Sequence, residues 1–155
     1  MHSIRENSSN VKPKFENVTY SQQFKKWFGD WEKKPNTASK VVNEDGTPKV
    51  VYHGTRANFN TFVLKPEAEF GRALGDGFYF TEDYKRAFRY ANGVTGKYHG
   101  GHIMSVYLDI KRPFYITEKN KMNYGAELED GLFEEKYDGV IDTRNGTYLV
   151  FSSNQ

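Results

Sequence analysis

Apolar residues in this chain fall into six short runs, each closed by glycine, proline or a polar cluster, and only two stretches keep a helical period. The runs are Lys49-Val-Val-Tyr-His53, Gly77-Phe-Tyr-Phe80, Ile103–Asp109, Phe114-Tyr-Ile116, Tyr137–Asp142 and Tyr148–Phe151. Strands this short bury a core only when they are gathered into sheets and packed against helices. An α+β architecture is the expectation. The 12 Phe and 11 Tyr among 155 residues point the same way, because large rings fit the pleated, half-buried face of a sheet.

The first helical stretch places Phe24, Trp27, Phe28 and Trp31 on one stripe, with Ser21 as its cap and Pro35 as its stop. An aromatic stripe of this kind reads as scaffold, so its loss is expected to cost folding before activity. In the second, Thr81 is expected to cap a helix whose first turn carries Glu82 and Asp83. Tyr84, Ala87, Phe88 and Ala91 share its apolar face, with Tyr90 beside them. Residues 1–20 are polar, with Pro13 and an Asn/Ser cluster, and read as a leader or linker. Residues 21–155 read as a single domain. Between the second and third runs, a segment through Phe59, Phe62 and Pro66 leads to a Gly-rich stretch, Gly71 to Gly77, that could fold over a ligand.

Composition removes several classes. Without cysteine there is no disulfide framework, no thiolate nucleophile and no sulfur-based zinc site, and His53, His99 and His102 lack metal-ligand spacing. No metal is expected. No stretch approaches the roughly 18 apolar residues of a membrane helix, and no Sec-type signal core is visible, which leaves a cytoplasmic protein or an injected or secreted effector. No membrane partner is expected. Net charge is +2, with 8 Lys/Arg against 4 Asp/Glu in residues 1–40, so the basic character is local. That run reads as a solvated face, against a nucleic-acid or anionic-partner patch.

His53-Gly54-Thr55 alone is a weak signal, since a histidine at a strand end is commonly structural. It is followed by Gly77-Phe78-Tyr79-Phe80-Thr81 and then by Ala87-Phe-Arg-Tyr90, which sets two tyrosines eleven residues apart across a strand–helix junction. Over 50–90 this set resembles the diphtheria-toxin and poly(ADP-ribose) polymerase branch of the ADP-ribosyltransferases. Phe24-Lys-Lys-Trp-Phe-Gly-Asp30, Asp138-Gly-Val-Ile141 and Tyr148-Leu-Val-Phe151 through Asn154-Gln155 resemble a narrower group, the ADP-ribosyltransferase domains of large phage and mobile-element polyvalent proteins.

The resemblance implies a split β-core of two small, mainly antiparallel sheets with flanking helices and an NAD⁺ cleft between them. It also implies a monomeric domain of a larger protein, trimmed at its C-terminus. NAD⁺ would be the substrate, and the acceptor a macromolecule, protein or nucleic acid. Cleaving the nicotinamide–ribose bond passes through an oxocarbenium-like state, so the enzyme must fix nicotinamide, orient ribose and stabilise positive charge. By the resemblance, His53 would bond a ribose hydroxyl, the Gly54 backbone would hold the carboxamide, and Tyr79 and Tyr90 would sandwich the ring. Ala87 is the small residue of the motif, and Thr55 is a candidate second ribose or adenosine contact. Each has a plainer reading, Tyr79 and Tyr90 as core rings above all. Arg72 could grip the pyrophosphate, since a guanidinium suits phosphate, or be a solvated loop residue.

Thr147 stands where the polymerases carry the glutamate that bonds the ribose 2′-hydroxyl. The departure argues against polymer elongation. Three readings remain for the third position: a carboxylate from elsewhere such as Asp142, Glu134 or Glu135; Gln155; or a substrate-assisted or absent reaction. The function expected is mono-ADP-ribosyl transfer, with NAD⁺ glycohydrolysis or a weak or inactive NAD⁺ or ADP-ribose binding module as alternatives.

Overall fold

The computed structural model describes residues 2–4, 15–56, 77–93, 100–124 and 133–155. Among these residues, seven strands form one sheet: β1 (His2–Ile4), β2 (Val51–Thr55), β3 (Phe78–Thr81), β4 (His102–Tyr107), β5 (Pro113–Ile116), β6 (Gly139–Asp142) and β7 (Thr147–Val150). Four helices accompany them: α1 (Phe15–Tyr20), α2 (Gln22–Phe28), α3 (Tyr84–Asn92) and α4 (Phe133–Lys136). The architecture is α+β, as the punctuation of short runs implies.

The strand order is β1-β4-β2-β3-β7-β6-β5, antiparallel throughout except for the β5–β6 pair. The expected two sheets are two lobes of this one sheet. β2 pairs with β4 over five residues, whereas β2 and β3 share a single register pair, Tyr52↔Thr81. Beyond that pair the two strands part, and the split opens toward the C-terminal end of β2. His53, Gly54 and Thr55 lie there.

Alternation along the strands builds a core on each face of the second lobe. Phe78 and Phe80 of β3, Ile141 of β6 and Tyr148 and Val150 of β7 enter one cluster with Val41, Val51, Val106 and Leu108. Val140 and Leu149 face the other way, into Phe114, Tyr124 and Phe133, and Tyr79 packs against that second cluster. The period-2 pattern thus sends Tyr79 to the face opposite its two Phe neighbours.

The aromatic stripe is scaffold. Phe24 and Phe28 are fully buried, stacked at 5.0 Å between centroids, and Phe24 meets Tyr107 of β4 edge-on at 5.2 Å. Ser21 caps α2 by accepting from the Phe24 amide at 3.2 Å. The helix stops at Gly29, whose φ of +100° ends the α-helical path, so Trp31 lies beyond it and Pro35 opens a separate 3-10 turn. The proline stop expected from sequence is therefore corrected to a glycine stop. Trp27 Nε1–H donates to the Asn154 carbonyl at 2.8 Å, and Trp31 Nε1–H to that of Thr19 at 3.0 Å, which satisfies both indole donors.

Within the segment read as a leader, His2–Ile4 form a strand on the free edge of β4 and Phe15–Tyr20 form α1. Edge pairing uses backbone groups, so a polar sequence does not reveal it. Among the described residues, no helix is long and apolar enough to cross a membrane.

Truncation of Phe28 to Ala should lower unfolding stability by about 3–5 kcal/mol, read as a loss of melting temperature by circular dichroism. A change below about 1 kcal/mol would contradict the scaffold role of α2.

Candidate active site

The backbone contact between α3 and β2 sets the geometry of the site. A Cβ built on Gly54 would lie 1.9 Å from the Ala87 carbonyl oxygen, and one on Gly101 would lie 2.2 Å from that of Ala91. Only glycines on the strand side and alanines on the helix side permit this approach. Ala87 and Ala91 are fully buried in consequence. The helix is capped by Asp83, whose carboxylate accepts from the amides of Lys85 at 2.9 Å and Arg86 at 3.3 Å. Thr81, the expected cap, is the last residue of β3, and its hydroxyl accepts from the Asp83 amide at 3.1 Å. The carboxylate displaces the cap by two residues because it satisfies two of the helix's orphan amides and suits the positive end of the dipole.

His53 closes the split by a side chain. Its Nδ1–H donates to the Tyr79 carbonyl oxygen at 2.6 Å, where a further rung between β2 and β3 would otherwise have run. A carbonyl accepts only, so in the neutral ring the proton sits on Nδ1 and Nε2 keeps a lone pair. Burial pushes the His53 imidazole below its usual pKa, and the Tyr79 carbonyl opposes this only in part. Neutral His53 is thus an acceptor at Nε2.

Tyr79, on the strand that His53 grips, is half-buried against the cluster of Phe114, Tyr124 and Phe133. Burial raises the Tyr124 phenol well above its ordinary range, reinforced by the neighbouring Tyr79 and Asp142. Tyr90 is 66% exposed on α3 and makes no ring contact with any described residue. The spare aromatic face of Tyr90 is a hydrophobic surface held on a helix anchored at Ala87 and Ala91.

Residues 43–134, more than half of the chain, match the model of the family described as ADP-ribosyltransferase in polyvalent proteins. The chain belongs to this family. Neither the curated proteins nor the solved structures give a match to it. The matched residues take in β2, β3 and α3, hence His53, Gly54, Thr55, Tyr79, Ala87 and Tyr90. Enzymes of this family use NAD⁺ as substrate. Among the described residues, no group of three or more acidic or histidine side chains is placed to hold a metal ion.

The remaining positions named from sequence are dispersed. Arg72 and the Gly-rich loop lie outside the described residues. Thr55 ends β2, beside Gly54. Thr147 opens β7 opposite Thr81 and Asp142, in one cross-strand row with Tyr52. Gln155 sits past the other end of β7, its Oε1 accepting from the Phe151 and Ser152 amides at 3.1 and 3.0 Å. Its Nε2 donates to the carbonyls of Asp109 and Asp138, so the amide is taken up in tying strand ends together. Glu134 and Glu135 are exposed on the short α4. Asp142 is buried in the same row as Thr147 and receives Arg144 Nε–H at 2.8 Å and Nη2–H at 2.6 Å. Burial works to raise its carboxyl, but the Arg144 bonds outweigh this and hold it below the ordinary range.

One residue that sequence reasoning passed over bonds to Thr147. Arg86 of α3 donates from Nη1 to the Asn145 carbonyl at 2.8 Å and to Thr147 Oγ1 at 3.3 Å. Its spacing supplied a signal: it precedes Tyr90 by one helical turn and shares its side of α3.

Two outcomes follow. Gly54→Ala should cost about 1–3 kcal/mol or more, since the helix must be driven off the strand. A chemical-denaturation midpoint unchanged from wild type would refute the contact. For His53 the native pKa is lowered, so the unfolded chain takes up the proton first and stability falls as pH drops from the ordinary imidazole range, about 6.5, toward the native value. Denaturation at stepped pH should show this loss, and His53→Asn should flatten it in that window.

Proposed function

We propose that the chain transfers a single ADP-ribose from NAD⁺ to a macromolecular acceptor and releases nicotinamide, working as one domain of a larger polyvalent protein. The observation that carries this reading is the His53 Nδ1–H bond to the Tyr79 carbonyl, made inside the split between β2 and β3. By one contact it couples the imidazole to the strand bearing the first tyrosine, while Gly54 next to it clamps the helix bearing the second. In this reading His53 Nε2 accepts from a ribose hydroxyl, and Tyr79 and Tyr90 hold the nicotinamide ring, with Thr55 beside the ribose.

The chemistry follows from those positions. The leaving group is a pyridinium, which departs as neutral nicotinamide and needs no acid. What the protein supplies is a fixed ring, a fixed sugar and water exclusion at the anomeric carbon. Thr147, lacking charge, gives no electrostatic support to the oxocarbenium. That fits transfer of one unit at modest rate better than chain elongation.

Arg86 beside Thr147 favours one other reading, a module that binds NAD⁺ or ADP-ribose without turnover, because a cation there opposes the developing charge. Incubation with NAD⁺ labelled in the adenylate, with nicotinamide release and labelling of lysate macromolecules followed separately, separates the readings. Wild type should release nicotinamide and label an acceptor, and His53→Ala should lower both by about 100-fold. Nicotinamide without labelled macromolecule would select glycohydrolysis. Calorimetric binding with neither would select the silent module.

A further inference from the structure

Strand register decides which side chains share a face with Tyr79. Tyr79 pairs with Leu149 of β7, Leu149 with Val140 of β6, and Val140 with Phe114 of β5, so one cross-strand row runs from Tyr79 to Phe114. Side chains opposite one another in such a row stand on one face of the sheet. Thr81, two residues along β3, is on that face too, and so are its partner Tyr52 and, two residues further along β2, Gly54. Gly54 meets Ala87, and Tyr52 meets Tyr84 edge-on at 5.3 Å, so α3 covers this same face. Two walls therefore rise from it: α3 above β2, and the cluster of Phe114, Tyr124 and Phe133 above the β5 side. Tyr79 stands between them.

Tyr124 comes from the turns after β5, outside the motif that marks the site in the sequence. Its ring lies over Phe114 with centroids 5.5 Å apart and meets Phe133 edge-on at 5.9 Å, and only 6% of the residue is exposed. Tyr137 braces the same two phenylalanines, at 5.2 and 4.9 Å. Four mutually packed rings leave Tyr124 little freedom of rotamer. Its phenol feels both Tyr79, on the row that ends at Phe114, and Asp142, on the next row, so the hydroxyl end of the ring points from β5 back toward β3.

Tyr79 needs such a wall. The His53 bond fixes its carbonyl oxygen and leaves the two side-chain torsions to be set by what the ring touches. Aromatic stacking depends on offset and tilt, and ordering a mobile ring costs binding free energy. We propose that Tyr124 is a positioning residue for nicotinamide: a flat, immobile wall that holds the Tyr79 ring at the angle and depth at which a pyridinium stacks on it. The inference deepens the reading in which Tyr79 holds nicotinamide, and rests on it.

Tyr124→Met is the test variant, because methionine keeps apolar volume in the wall but removes its flatness and stiffness. Tyr124→Leu is made beside it, and Tyr124→Phe keeps the wall; circular dichroism establishes that each folds. Dissociation constants for nicotinamide and for ADP-ribose, which lacks the pyridine ring, are measured separately by ligand-detected NMR titration. Tyr124→Met and Tyr124→Leu should weaken nicotinamide about five- to ten-fold and shift ADP-ribose by less than about two-fold, while Tyr124→Phe should match wild type on both. A tyrosine that served the core alone would lower the melting temperature and leave the nicotinamide constant where it was, or weaken both ligands alike. Either outcome overturns the assignment, as does Tyr124→Phe binding nicotinamide as poorly as Tyr124→Met. If wild type binds no nicotinamide, with or without ADP-ribose binding, the nicotinamide role of Tyr79 itself fails and this one falls with it.

Discussion

The contact of α3 with β2 is the constraint on which the rest of the site hangs. Where Gly54 and Gly101 meet the carbonyls of Ala87 and Ala91, backbone touches backbone with no side chain between. Interfaces of that kind have little slack, because any added atom must displace a whole helix rather than a rotamer. The angular position of α3 is set accordingly, and with it the directions of Arg86 and Tyr90. One turn of helix separates those two residues, so a single packing contact presents an aromatic face and a cation to the same side of the sheet.

The second determinant is the early end of the β2–β3 ladder. A sheet that continued past Tyr52↔Thr81 would pair its backbone groups and leave no opening. The His53 ring takes over as hydrogen-bond partner of the Tyr79 carbonyl, so the strands separate without stranding a buried acceptor. That bond also settles which ring nitrogen carries the proton, and burial keeps the imidazole neutral. Satisfaction of the Tyr79 carbonyl and the choice of tautomer come from one hydrogen bond.

Charges around the row Tyr52–Thr81–Thr147–Asp142 are arranged asymmetrically. Asp142 and Arg144 neutralise each other at the β6–β7 turn, while Lys49 Nζ and the Tyr148 hydroxyl both donate to Glu82 at the head of α3, at 2.8 and 2.9 Å. The Lys49–Glu82 pair is partly solvated and adds little stability, but it fixes the cap region from which Arg86 projects. Arg86 makes no ion pair among the described residues, though its charge is felt by Glu82 and Asp142.

Local information in the chain determined six of the seven described strands, the two main helices and the α+β class, because period-2 and period-3.6 patterns record which faces are buried. It also carried the His53-Gly54-Thr55, Gly77-Phe78-Tyr79 and Tyr90 motif, since glycines and aromatic rings at fixed spacing mark where backbone must approach backbone and where flat surfaces are needed. Helix ends were less readable: Asp83 outcompeted Thr81 and Gly29 pre-empted Pro35, because nearby residues competed for the same orphan groups. The tertiary structure alone decided that residues before 21 contribute a strand and a helix, that Gln155 is consumed in holding strand ends, and that Arg86 lies against Thr147. The β1–β4 pairing and the Arg86–Thr147 bond join segments far apart in sequence, and Gln155 reaches Asp109 46 residues away, so the partners are ones that only folding brings together.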